Sequence, residues 1–247
     1  MAVSPFLARA LIDQAKREPF SGRLVALSRY DMWFRTDHLK VLAADAGFDL
    51  RVDPDDDPEP LGANQGLRAE LFFKALGFSE VVTLELFDPA PGTVVLDLNL
   101  ADTPEDMIGC ADAVFDLGTS EHVYHPIHLL NHVARMLGPG GRAIHHTPAN
   151  NMLNHGFFQF SPTFYYDHYE ANRFEVLEVM INLFSHPNDE VQSLLPIARE
   201  ASWREPMMTG AKSAYNFVVA RKTPESTVGV PALQAVYTRG PGGPPKT

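Results

Sequence analysis

The sequence has very little cysteine, no long hydrophobic run and fewer basic than acidic residues. One cysteine, Cys110, in 247 residues excludes an intrachain disulfide and a zinc site built from cysteines. No stretch approaches the roughly 20 apolar residues of a membrane span, and Arg9, Asp13 and Lys16 interrupt the early apolar positions, unlike a signal peptide. Lys and Arg total 20 against 31 Asp and Glu, a net charge of −11 that argues against nucleic acid or an anionic membrane as partner. We expect a cytoplasmic protein.

What the chain does have is enough apolar material for one core. Hydrophobic residues make up 45% and charged residues 21%, which excludes wholesale disorder. A length of 247 residues favours one domain of ordinary enzyme size.

Helical and strand-like apolar patterns take turns along most of the chain. The sequence predicts helices over residues 4–17, 36–46, 67–76, 124–137 and 162–170, the first with Ser4 as N-cap and the second with Gly47 as its stop. Short apolar or β-branched runs predict strands over residues 23–28, 81–85, 93–97, 111–117, 142–147, 174–184 and 214–221. This alternation predicts an α/β fold, Rossmann-like and doubly wound, with a mostly parallel seven-stranded sheet and helices on both faces.

Two segments fall outside this alternation. Residues 48–66 form an acidic, proline-punctuated loop, and residues 223–247 are rich in Pro and Gly, so they are expected to fray or to wrap the surface. We therefore divide the chain into a domain over residues 1–222 and a tail over residues 223–247.

The most informative pattern lies between residues 111 and 148. A strand ending at Asp116 is followed by Glu-His-Val at 121–123, a helix, Arg-Met-Leu-Gly-Pro-Gly-Gly at 135–141 and a further strand. This order resembles class I S-adenosylmethionine-dependent methyltransferases. The segment His-Gly-Phe-Phe-Gln-Phe-Ser-Pro at 155–162, with Asp-Leu-Asn at 97–99, is similar to one largely uncharacterised branch of that family.

The resemblance implies S-adenosylmethionine as cofactor, bound where the parallel strands end. Glu85 is our choice for the ribose hydroxyls, with Asp88 as the fallback, because a strand end read from sequence is uncertain by a few residues. A competing register makes residues 48–53 the second strand and Asp53 the ribose acid. Asp97 then approaches the adenine, and Leu98 supplies an apolar contact or a backbone amide. Asn99 completes the triplet at this strand end and is assigned to the cofactor site with them. The methionine end then borders the remaining family positions, which are Asp116, Gly118, Thr119 and Glu121.

One departure from the family concerns the turn after the first strand. The family uses glycines there to bring the backbone close to the cofactor, whereas this chain reads Leu-Ser-Arg-Tyr-Asp at 27–31. We expect Ser28, Arg29 and Tyr30 to replace that cradle, with the Arg29 guanidinium facing the cofactor's carboxylate.

Histidines supply the candidate proton acceptors. Methyl transfer needs positioning, and it needs a base when the accepting atom carries a proton. His155 and His122 flank the predicted mouth of the site, and His146 is nearer than His145 to the carboxyl end of its strand; alternation places these two on opposite faces. Another three histidines share one face of the helix over 124–137: His125, His128 and His132. Their spacing fits a metal site or an exposed polar face; the second is the simpler interpretation, and no metal ligand is assigned.

Phe158, Gln159 and Tyr165 belong to an aromatic segment that could contact an acceptor. The leading hypothesis is methyl transfer to an oxygen or nitrogen of a small molecule, a carbohydrate or specialised metabolite. Two alternatives stay open: a methyltransferase-fold protein that binds without catalysis, and a histidine-lined metal enzyme on the same fold. A homo-oligomer stays open as well.

Overall fold

The computed structural model describes residues 2–55, 67–87, 92–186, 189, 192–199 and 208–239. Its strands are β1 (Ala2–Val3), β2 (Arg23–Ala26), β3 (Asp31–Met32), β4 (Glu80–Glu85), β5 (Thr93–Val95), β6 (Ala111–Asp116), β7 (Leu137–Asn150), β8 (Glu175–Phe184), β9 (Ser193–Pro196) and β10 (Ser213–Arg221). Its helices are α1 (Pro5–Arg17), α2 (Thr36–Ala46), α3 (Ala69–Leu76), α4 (Pro126–Met136), α5 (Pro162–Ala171) and α6 (Ala235–Arg239).

Eight of the strands form one sheet in the order β5-β4-β2-β6-β7-β10-β8-β9. The five strands from β5 to β7 run parallel, and β10, β8 and β9 continue the sheet in antiparallel pairs. The predicted α/β class and mostly parallel sheet are confirmed. The predicted strand number was one too low, because β9 has only four residues and no clear alternation.

Helices cover both faces of this sheet. The first core contains α1, α2 and α3, whose apolar faces pack around Phe72, Phe73 and Phe115. The second contains α4 and α5, with Leu130, Val133, Tyr165 and Tyr169 at its centre. The two cores explain why the central strands are apolar on both sides.

Local signals set the helix ends. Ser4 caps α1 by accepting a hydrogen bond of 3.2 Å from the amide of Leu7, and Pro5 follows as the first helical residue. Gly47 ends α2 with φ 59°, a left-handed conformation that glycine adopts at little cost. Both boundaries agree with the sequence prediction.

The Gly-Pro-Gly-Gly segment was predicted as a turn before β7, and the structure places it inside that strand. Its backbone is paired: the amide of Gly140 donates to the carbonyl of Lys222, and the amide of Lys222 donates to the carbonyl of Gly141. The Lys222 ammonium also binds the carbonyls of Ala134 and Leu137 at the end of α4. These partners lie about 80 residues further along the chain, so the local sequence carries no sign of them.

The competing register is wrong, because residues 48–53 form no strand. Asp53 instead lies 2.9 Å from the ammonium of Lys40 on the surface. The second strand of the parallel set is β4, which pairs directly with β2 and ends at Glu85. Asp88, residues 56–66 of the acidic loop and residues 240–247 of the tail lie outside the described residues.

The described part of the tail follows α5. The amide of Thr227 donates to the carbonyl of Asn172, and the amide of Val230 donates to its side-chain oxygen. None of the helices in the described ranges could cross a bilayer, since the longest, α1, has 13 residues and a span needs about 20.

Candidate active site

A hydrogen bond joins the turn after β2 to Glu85, the acid at the carboxyl end of β4. The amide of Arg29, in the turn after β2, donates to Oε1 of Glu85 at 2.6 Å. A carboxylate offers about four acceptor positions, so this bond leaves Glu85 capacity for a ligand's hydroxyl groups. The acid chosen from the sequence therefore lies beside the turn that the family uses for its cofactor.

The turn itself is filled by side chains. Tyr30 is buried, and its hydroxyl donates to the carbonyl of Phe115 while accepting from the amide of Leu117. Its side chain thus ties the turn to the end of β6 instead of lying open to a ligand. Ser28 is buried as well, whereas Arg29 is exposed.

The Asp-Leu-Asn triplet forms a compact turn after β5. Oδ1 of Asp97 accepts from the backbone amide and the side-chain amide of Asn99, at 2.9 and 3.0 Å, and Leu98 is buried between them. The side-chain oxygen of Asn99 accepts from the amide of His125, so the turn is attached to the start of α4.

The histidine face of α4 holds the same loop in place. Nδ1 of His128 contacts the carbonyl of Asn99 at 2.7 Å, and Nε2 of His132 contacts the carbonyl of Leu100 at 2.8 Å. Because both carbonyls can only accept, these ring nitrogens carry hydrogen, and Nδ1 of His132 accepts from Thr103 at 2.7 Å. These bonds give the rings of His128 and His132 a structural role, and His132 is buried, so the face is not simply an exposed polar one.

Asp116 is a buried anchor within the protein. Its Oδ1 accepts from the amides of Thr119 and Ser120, and its Oδ2 lies 2.8 Å from Nδ1 of His145, whose Nε2 reaches the hydroxyl of Tyr169. Burial opposes ionisation, but the His145 contact and these donors hold the pKa of Asp116 below its ordinary value. The carboxylate thus shapes the turn that leads to Glu121.

A cavity of about 400 Å³ opens beside this turn. It is bordered by the turn itself, the segment after β7, the strands β8 and β10 and the first residues of the chain. Its lining residues are Ala2, Ser4, Asp31, Trp33, Leu117, Gly118, Glu121, His122, His146, Met152, His155, Asn182, Phe184, Gln192 and Tyr215. Gly118 has φ 101° there, a conformation in which a side chain would be strained.

Glu121 lies at the wall of the cavity with a fully buried side chain. Its Oε1 is 3.5 Å from Nε2 of His155 and 3.9 Å from Nε2 of His122, and neither carboxylate oxygen has a hydrogen-bond partner among the described residues. Burial raises the pKa of Glu121, as does the nearby charge of Asp116, although His155 opposes the shift. In return Glu121 raises the pKa of His155, while burial and His155 lower the pKa of His122.

The two family-like segments, residues 121–123 and 155–162, meet at this point. The backbone amides of Phe157 and Phe158 both donate to the carbonyl of Glu121, at 2.7 and 3.3 Å. Gly156 permits the approach, since a Cβ there would lie 2.7 Å from the same carbonyl oxygen. Because Gly156 has no side chain, the two segments can pack closely, and this packing holds His155 beside the Glu121 carboxylate.

His146 lines the opposite wall. Its Nε2 is 3.3 Å from the side-chain oxygen of Asn182, its ring stacks on Tyr215 with centroids 4.9 Å apart, and burial lowers its pKa to about 4. His145, one residue earlier, points into the Asp116 network instead. The two neighbours lie on opposite faces, as the strand alternation predicts.

The three predicted substrate residues are placed differently. Tyr165 is buried in the core, where its hydroxyl bonds to Thr147, and Gln159 accepts from the amide of Met152. Phe158 stacks on Phe160 with centroids 5.9 Å apart. None of the three lines the cavity described above.

Several lining residues on β8 and β10 were not predicted from the sequence: Asn182, Phe184 and Tyr215. Asn182 carried a usable signal, because an amide inside the apolar strand β8 calls for a buried partner. Tyr215 carried none, since an aromatic residue in a strand is ordinary core material.

The side chains at these strand ends can be matched to the chemical groups of the cofactor that the resemblance implies. S-adenosylmethionine presents a diol, an adenine amino group, an amino-acid end and a positively charged sulfur. Glu85 and Asp97 supply carboxylate acceptors at two neighbouring strand ends, and the buried Glu121 carboxylate supplies negative potential nearby. These acceptors fit S-adenosylmethionine, although bulkier residues replace the glycines of the family's turn.

No family model matches the chain, and no curated protein matches it. Solved structures do. A geranyl diphosphate methyltransferase in complex with SAM is 14% identical, with 89% of this chain and 85% of that chain covered and a TM-score of 0.45. The 1,6-didemethyltoxoflavin-N1-methyltransferase of Burkholderia thailandensis, with S-adenosylhomocysteine bound, is 12% identical over 87% and 76%, with a TM-score of 0.46. The [4+2]-cyclase SpnF is 13% identical over 91% and 82%, with a TM-score of 0.44. Two of these three structures are methyltransferases with S-adenosylmethionine or S-adenosylhomocysteine bound.

Proposed function

We propose that this protein is an S-adenosylmethionine-dependent methyltransferase that acts on an oxygen or nitrogen of a small molecule. The observation that carries the proposal is the hydrogen bond between Glu85 and the turn after β2, next to a cavity whose wall holds a buried carboxylate without a hydrogen-bond partner among the described residues. An acid at the end of the second parallel strand has the position and chemistry to accept the two hydroxyls of a ribose.

Residues at the neighbouring strand ends would complete the cofactor site. Asp97 and Leu98 would contact the adenine, by an acceptor and an apolar surface respectively. Arg29 would face the carboxylate of the amino-acid end, and Gly118 would allow the backbone to approach it. When bound, the cofactor supplies a methyl group on a positively charged sulfur.

The cavity would hold the acceptor. Its volume of about 400 Å³ is within the range of small-molecule sites, roughly 300–1,000 Å³. Trp33, Phe184 and Tyr215 offer apolar surface, while Asn182 and Gln192 offer polar contacts. This mixture suits a carbohydrate or a specialised metabolite, and the net charge of −11 disfavours nucleic acid.

His155 would accept the proton of an acceptor hydroxyl or amine. Its ring is 39% exposed at the cavity, and the Glu121 carboxylate 3.5 Å behind it stabilises the protonated form. His122 lies beside it, with ring centroids 5.1 Å apart, but its lowered pKa makes it the weaker proton acceptor.

Calorimetric titration with S-adenosylhomocysteine tests the cofactor site. We expect the wild-type chain to bind, and Glu85→Gln to bind about 10- to 100-fold more weakly, because a charged acceptor of two hydroxyls is lost. Glu80→Gln is the matched control: Glu80 lies at the other end of β4, in an exposed pair with Arg23. It should retain the wild-type affinity.

Two results would contradict this proposal. Absence of any binding at millimolar ligand would favour a protein that has kept the fold without the cofactor. Equal affinity of wild type and Glu85→Gln would show that another residue binds the ribose.

A further inference from the structure

Three metal-ligating side chains come together at the wall of the cavity. They are Glu121, His122 and His155, and their ligand atoms all lie within 4.8 Å of one another. The first two are adjacent in the short turn after β6, and the third is held against them by the backbone bonds of residues 157 and 158 to Glu121.

The carboxylate of Glu121 is the feature that calls for a ligand. Its side chain is 0% exposed, and both oxygens lack a hydrogen-bond partner among the described residues. A buried charge without a partner is costly, so such groups are normally paired or coordinated. Asp116, at the start of the same turn, has both of its oxygens bound within the protein.

The distances fit a tetrahedral ion with little movement. Ligands at about 2.0–2.1 Å from zinc stand roughly 3.3–3.4 Å apart in tetrahedral geometry. Here Oε1 of Glu121 is 3.5 Å from Nε2 of His155 and 3.9 Å from Nε2 of His122. Both rings are about 40% exposed, at 39% and 41%, so small rotations can close the remaining gap.

We propose that Glu121, His122 and His155 bind one divalent transition-metal ion, of which zinc is the representative. Two imidazoles and one carboxylate favour such an ion over calcium or magnesium, which prefer all-oxygen ligands. Three protein ligands would leave a position open, as in catalytic zinc sites, and all three of these residues line the cavity.

The open position gives the ion a role toward the acceptor. A hydroxyl bound there as fourth ligand has a lowered pKa, so its proton passes to solvent without a protein base. The proton acceptor proposed above is then His155 of the metal-free protein, because in the metal-bound protein Nε2 of His155 is a ligand and cannot accept a proton. This role rests on the proposed function, whereas metal binding rests on the cluster alone.

The test uses the full-length chain, stripped of metal and titrated with Zn²⁺ by calorimetry and with Co²⁺ by visible absorption. We expect one ion per chain and an intense absorption of tetrahedral Co²⁺. Glu121→Gln and His155→Gln should each weaken binding at least about tenfold. His38→Gln, on the exposed face of α2, is the matched control and should bind as the wild type does.

The second variant keeps the test decisive if the first does not fold, since His155 is partly exposed in a loop. No stoichiometric binding by the wild type, or equal binding by wild type and His155→Gln, would overturn the metal site. Titration of the same samples with S-adenosylhomocysteine separates the two proposals. If the chain binds metal but not S-adenosylhomocysteine, only the proposed function is rejected. If it binds S-adenosylhomocysteine but not metal, only the metal site is rejected.

Discussion

Two buried histidines make the stability of this protein sensitive to acid. Burial lowers the pKa of His146 and of His168 to about 4, and His145 adds to the effect at His168. The folded state thus keeps both rings neutral where the unfolded chain, with a histidine pKa of 6.5, already binds protons. Their contribution to stability is present above pH 6.5 and is lost as the pH falls toward 4.

We expect His168→Gln to reduce this pH dependence. His168 is 4% exposed and packs on Phe164 and Tyr169, so its neutral form is well isolated from water. Between pH 6.5 and 4 the free energy of unfolding should fall less in the variant than in the wild type, by up to about 3 kcal/mol. Urea denaturation at several pH values measures the slope.

His38→Gln again provides the comparison, because an exposed histidine has no burial to lose. Parallel pH curves for wild type and His168→Gln would mean that the ring of His168 is protonated in the folded state.

Site residues could be predicted from the sequence where they belong to a local motif. Glu121 and His155 each belong to such a motif, and the structure brings the two together. The roles of Tyr30 and Asp116 were not predictable, because their partners at residues 115, 117 and 145 depend on which strands are neighbours. A motif identifies a side chain, whereas tertiary contacts decide which of its atoms stay available.

At the scale of elements, α4 and the loop that follows β5 behave as one unit. His128, His132 and Arg135 lie one turn apart along the helix and bind the carbonyls of residues 99, 100 and 101 in the same order. The loop has little regular structure of its own, so these bonds position the Asp97 turn.

His132→Ala should therefore destabilise the protein without affecting metal binding. The change leaves the carbonyl of Leu100 and the hydroxyl of Thr103 without their partner and opens a cavity around a fully buried ring. We expect the free energy of unfolding to fall by about 2–4 kcal/mol, measured by urea denaturation.

His125→Ala, at the N-cap of the same helix about two turns earlier, is the control for this effect. Its ring is exposed, and the change should cost about 0.5 kcal/mol or less. Loss of the stoichiometric metal in His132→Ala would place the metal on α4 and revive the interpretation set aside above.

Elements with their own end signals were predicted well, and elements completed by distant strands were not. The helix at residues 36–46 matched to the residue, because its C-cap glycine is local. The start of β7 at Leu137 was missed, since its pairing with Lys222 is remote. The strands β1 and β3, which pair with each other, were also missed, because each has only two residues and so shows no periodic pattern.

At the scale of the whole molecule, the tail contributes to the domain that it follows. Asn172, at the end of α5, is 1% exposed, and its side chain exchanges hydrogen bonds with the backbone of Val230 at 3.0 and 3.1 Å. The amide of Ala235 reaches Asp167 in the same helix.

Removal of residues 223–247 should leave a folded chain of lower stability. The lost partners of Asn172 and Asp167 predict a decrease of about 2–4 kcal/mol in the free energy of unfolding. Far-UV circular dichroism with urea denaturation measures both. A chain shortened after Arg239 retains these contacts and is the control. If the chain without residues 223–247 does not fold, the tail is an integral part of the domain and the boundary at residue 222 is wrong.

The strand order also has a consequence for how the chain reaches its native state. The central strand β2 is flanked by β4 and β6, and the bond between Arg23 and Asp112 spans 89 positions of the sequence. On a ribosome this strand emerges before both of its neighbours and stays unpaired until they have been synthesised. Folding is governed by such long-range closures, which makes it slow, and an apolar strand without its neighbours is a target for aggregation.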